Sequence, residues 1–127
     1  MNPRAWLSEV SWELVVWQNE RLCEAKHAHH GPTSDGHEVT RELWERRRFE
    51  SMGLEDLAEH LRRCHRLAPF TNYNGNTFAA IIRALIDGLE LEPGRAALAR
   101  SLACHIVAGV AGEEEVRAFR EFCSSLA

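Results

Sequence analysis

Apolar residues along this chain recur at helical spacing, and no stretch shows the strict alternation of a half-buried strand. The first predicted helix, Pro3 to about His29, is apolar on two sides. At about 100° per residue, Trp6, Leu7, Val10, Leu14 and Trp17 share one stripe, and Trp12, Val16 and Cys23 fall nearly opposite. A helix on the outside of a small globule needs one apolar stripe. The surplus face of Trp12, Val16 and Cys23 is therefore expected to meet a protein partner or a second copy of the chain, tryptophan being common at binding hot spots.

The next segments are read from punctuation and stripe together. His30 to His37, holding Gly31, Pro32 and Gly36, is a loop. A second helix is expected from about Gly36 to Met52, with Asp35 and Glu38 spaced as a capping box. Its pattern is poor: Val39 and Leu43 share a side, but Trp44 and Phe49 do not. The third, Leu54 to Ala68, is the cleanest. Leu54, Leu57, Ala58, Leu61, Cys64, His65 and Ala68 line one side, opposite Glu55, Glu59, Arg62, Arg63 and Arg66. Pro69 closes it. The fourth helix, Thr77 to Leu89, would bury Phe78, Ile81, Ile82, Leu85 and Leu89. The fifth opens at Pro93 and runs to about Ala111. It carries no fixed charge from Ser101 to Gly112, so it is expected to be buried nearly all round, at the centre of the fold. The sixth begins with Glu113, Glu114 and Glu115, suited to a helix N-terminus. The expectation is a single all-α domain over residues 1–127, five or six helices in an orthogonal or irregular bundle with the helix at 93–111 central.

Composition narrows the class. The 127 residues are 45% hydrophobic and 27% charged, an ordinary globular balance with enough chain for a real core. The formal charge of −4 argues against a strongly basic nucleic-acid binder. Arg41 and Arg46 to Arg48, with Arg62, Arg63 and Arg66, interleave with Glu42, Glu45, Glu50, Glu55 and Glu59, the pattern of a solvated helix face with ion pairs. No signal peptide or membrane span is expected, so the chain reads as cytoplasmic. Cys23, Cys64, Cys104 and Cys123 lie far apart within predicted helices, which suits buried thiols in a reducing compartment.

Candidate chemistry is sparse. Cys23, His27 and His30 stand at i, i+4 and i+7, with His37 in the following loop. Thiolate and imidazole in that spacing are ligands for a transition metal such as zinc. His65 and His105 sit on apolar stripes, each after a cysteine, where a buried imidazole needs one good partner. Asn72, Tyr73, Asn74 and Asn76 form a polar loop that either caps the fourth helix or offers free N–H groups to a ligand. No Ser-His-Asp order, phosphate loop or paired-carboxylate motif is present. The first reading is a non-catalytic interaction or regulatory module (an adaptor, an accessory subunit or a homodimer) that uses the second apolar face of the first helix and needs no cofactor. The alternative is a metal- or cofactor-binding protein using Cys23, His27, His30 and His37.

Overall fold

The computed structural model describes residues 3–126. Six helices follow in order: α1 (Trp12–Ala25), α2 (His37–Arg47), α3 (Leu54–Arg66), α4 (Asn74–Asp87), α5 (Pro93–Ala108) and α6 (Glu113–Ser124). Among the described residues there is no strand, only two isolated bridges, Arg4 with Met52 and Pro32 with Phe70. The all-α expectation holds. Among the described residues no helix is long and apolar enough to cross a membrane.

The N-terminal segment departs from its pattern. Helix α1 begins at Trp12, capped by the Ser11 hydroxyl, which accepts from the Leu14 N–H at 3.2 Å. Residues before it form turns bound to the α2–α3 connection. Arg4 and Met52 exchange backbone hydrogen bonds at 3.1 and 2.9 Å, and the Trp6 indole N–H donates to the Met52 carbonyl at 2.7 Å. Trp6, Leu7 and Val10 are buried without being helical. Their spacing imitated a helix, and the pinning to Met52 overrides it.

Helix α3 buries most of its predicted stripe, Leu54, Leu57, Ala58, Leu61 and Cys64, but it ends at Arg66, and Ala68 is exposed beyond it in the left-handed region (φ 49°). Helix α5 packs against α3, α4 and α6, but α3 and α4 each touch three helices as well. The centre is therefore the α3–α4–α5 triad, not α5 alone. One side of α5 is open, with Leu98 half exposed and Ser101 and His105 in solvent. Small polar and histidine residues carry that side without a fixed charge. The capping box at Asp35 and Glu38 does not form: Gly36 caps α2 without a side-chain bond. Thr33 does that work, accepting from the Gly36 N–H at 3.2 Å and donating to the Ala68 carbonyl at 2.6 Å. Gly36 is required there, because a β-carbon would overlap the Leu67 carbonyl oxygen.

Candidate functional site

The predicted docking face of α1 is its inner face. Trp12 is 4% exposed and belongs to an aromatic cluster. Its ring stacks on Phe70 at 5.8 Å between centroids and lies 6.1 Å from Trp44, which in turn lies 6.0 Å from Phe78. Trp44 ties the cluster to the N-terminal turns by donating to the Val10 carbonyl at 2.8 Å. Val16 is half-buried against the core and Cys23 is fully buried. The correction has a physical cause. Phe70 from the α3–α4 loop and Trp44 from α2 arrive on the Trp12 side, so that side becomes interior.

The apolar surface that α1 does offer is the opposite stripe. Leu14 is 44% and Trp17 50% exposed. With Val10 and Gln18 they form one wall of a groove of about 160 Å³, and Ala80, Ile81, Ala84 and Leu85 of α4 form the other. The Arg21 guanidinium lies 4.9 Å from the centroid of the Trp17 ring. Glu13, Trp17 and Arg21 succeed one another at i, i+4 and i+8 on this face, all exposed.

The predicted metal ligands are held apart by other tasks. His27 is exposed, in the left-handed region at the end of α1 (φ 55°). The edge of His37 meets Trp12 and Phe70 at 5.4 and 5.7 Å. Cys23 and His30 both serve Asn19, a fully buried residue that the sequence pattern did not single out. The Asn19 amide oxygen accepts from the Cys23 thiol at 3.6 Å and from His30 Nδ1 at 2.8 Å, so Nδ1 carries the hydrogen. The amide nitrogen donates to the Asn72 carbonyl at 2.8 Å and to the Thr77 hydroxyl at 3.0 Å. All four hydrogen-bonding positions of the amide are thus filled. Burial pushes the Cys23 thiol pKa up, which keeps it a thiol donor rather than a thiolate ligand. Among the described residues no group of three or more His, Cys, Asp or Glu side chains is placed to hold a metal ion.

The polar loop divides into two roles. Asn72 joins the Asn19 junction and donates through its side chain to the His29 carbonyl at 2.9 Å. Asn74 clamps Phe70, accepting from its N–H at 2.9 Å and donating to its carbonyl at 2.8 Å. These bonds start α4 three residues earlier than Thr77, with Tyr73 at the cap in the left-handed region (φ 56°). Tyr73, Asn74 and Asn76 line an open hollow of about 550 Å³ with His65 and His105. Both histidines have the partner a structural imidazole needs. His65 Nδ1 donates to the Val107 carbonyl at 2.9 Å, and His105 Nδ1 meets the Glu115 carboxylate at 2.5 Å.

One histidine is buried without any signal in the sequence pattern. His60 of α3 is 2% exposed, with its ring stacked on Trp44 at 5.9 Å. It lies on the charged flank of a helix whose apolar stripe is complete without it, so periodicity gave no signal. Comparison with protein-family models, with curated proteins and with solved structures finds no match.

Proposed function

We propose that the protein is a non-catalytic interaction module that works as a homodimer through the α1–α4 groove. The observation that carries this reading is the half-exposed Trp17 beside Leu14 on a groove whose other wall is Ala80, Ile81, Ala84 and Leu85. Exposed tryptophan at the rim of an apolar hollow is costly in water and effective at an interface. Charge favours a second copy as the occupant. When two α1 helices cross antiparallel about a two-fold axis at Trp17, position 13 of each faces position 21 of the other. Glu13 then meets Arg21 twice, as an isologous contact requires. A parallel crossing would set Glu13 against Glu13 and Arg21 against Arg21.

Sedimentation equilibrium over a dilution series tests this. The native chain should dissociate reversibly from dimer to monomer, and Trp17→Glu should stay monomeric with an unchanged circular dichroism spectrum. Glu13→Arg should weaken the dimer about tenfold, and Glu13→Arg with Arg21→Glu should restore it. A native chain that stays monomeric at every concentration would overturn the proposal. A dimer indifferent to Trp17→Glu would do the same.

A further inference from the structure

A hollow of about 450 Å³ lies along the outer side of α3, closed by the α2–α3 connection. Arg47, Arg62, Arg63 and Arg66 line it, with Glu50, Asp56 and Glu59. Its charges are not matched in pairs. Arg47 is engaged by Glu50 at 2.8 Å. Among the described residues, no carboxylate oxygen lies within 4.0 Å of Arg62, Arg63 or Arg66. The sequence pattern had assigned these three to ion pairs with the interleaved glutamates.

Two side chains that line the hollow each keep a buried donor without a partner among the described residues. His60 forms part of the lining, and its Nδ1 lies 3.3 Å from Arg47 Nη1. Guanidinium nitrogens only donate, so Nδ1 is the acceptor. Burial, with Arg47 and Arg63 nearby, holds the His60 pKa down to about 4, so the ring is neutral and Nε2 carries its one hydrogen. That Nε2–H is buried with no acceptor among the described residues, and the Nε of Arg62 is in the same position. Surplus donors and unpaired guanidiniums call for an acceptor-rich anion, and the planar fork of arginine matches phosphate oxygens. The placement along α3 favours the C-terminal half. Asp56 stands ten residues before Arg66, about 15 Å along the axis, and a second hollow beside the first is lined by Arg63, Arg66 and Leu67. Three guanidiniums outweigh the weak negative end of the helix dipole there.

We infer that the α2–α3 hollow binds the phosphoryl group of a small phosphate-bearing molecule, gripped by Arg62, Arg63 and Arg66. A small ligand fits better than a nucleic-acid backbone, because an extended polyanion would also run over Asp56 and Glu59. The site is separate from the α1–α4 groove and does not depend on dimerisation.

Isothermal titration with pyrophosphate at low ionic strength is the test. Saturable binding at one site per chain is expected, weakened at least tenfold in Arg63→Gln/Arg66→Gln and unchanged in the control Arg46→Gln. Arg63 and Arg66 are exposed, so the double variant should keep the native circular dichroism spectrum. Nitrogen-15 spectra give a readout independent of affinity. The His60 Nε2 resonance should move as pyrophosphate saturates the native chain and stay still in the double variant. Unsaturable binding, or equal affinity in the double variant, would overturn the inference. A single-stranded oligonucleotide binding more tightly than pyrophosphate, with the same dependence on Arg63 and Arg66, would replace it with a nucleic-acid site.

Discussion

Trp12 and Trp17 stand on the same helix and end in opposite environments. Trp12 is packed between Phe70, Trp44 and His37, and its indole N–H has no acceptor among the described residues. Trp17 is half exposed under Arg21. Apolar area alone does not separate them, since each is a large ring on an apolar stripe. What separates them is which side the other elements approach. The interior side accepts the cost of an unbonded indole N–H, about 1–3 kcal/mol, because ring burial outweighs it. The outer side keeps its tryptophan free of the core, where it is available to a second chain.

This contrast can be broken in order of effect. Trp12→Ala should cost about 3–5 kcal/mol, read as a large fall in the denaturation midpoint; a loss under about 1 kcal/mol would show that the ring is not core. His60 should make stability depend on acidity. Its pKa is lowered from 6.5 to about 4 in the folded chain, so the unfolded chain binds more protons between those values. The contribution is complete above pH 6.5 and is lost as pH falls through about 4, on the order of 3 kcal/mol in all. Urea titrations at several pH values should show that slope in the native chain and a flatter one in His60→Gln. Asn19→Ala strands His30 Nδ1, the Asn72 carbonyl and the Cys23 thiol together, and should cost about 2–3 kcal/mol. Asn19→Asp keeps the acceptor for His30 but sets a buried carboxylate oxygen against the Asn72 carbonyl, so it should not recover the loss in the same unfolding measurement. Trp17→Glu should shift the stability of the diluted, monomeric chain by only about 0.5 kcal/mol. A large loss there would place Trp17 in the core and remove the distinction.

The helical stripes were legible where one element faced one neighbour. Leu57, Leu61 and Cys64 of α3 and Phe78 and Ile82 of α4 are buried as their spacing predicts. The start of α1 was not legible, because Trp6, Leu7 and Val10 share helical spacing with residues that are truly helical. Ser11 carried the missed signal, a capping hydroxyl three residues before Leu14. Asn19 could not have been found by pattern. Its partners Asn72 and Thr77 lie 53 and 58 positions away, and no local spacing encodes such a contact. Cys23 and His30 are brought together by the fold, on an amide oxygen that takes both hydrogens.

By itself, the sequence determined that the chain is helical, roughly where the helices run, and that one of them carries more apolar surface than a single core contact needs. Periodicity and punctuation are local properties, set within a few turns of chain. Only the tertiary structure decided which face of α1 is inside, that His60 is buried while Arg62, Arg63 and Arg66 have no carboxylate partner among the described residues, and that Asn19 ties α1 to His30 and to the start of α4. Those outcomes depend on which surfaces arrive from elsewhere in the chain, and burial is a property of the neighbours as much as of the residue.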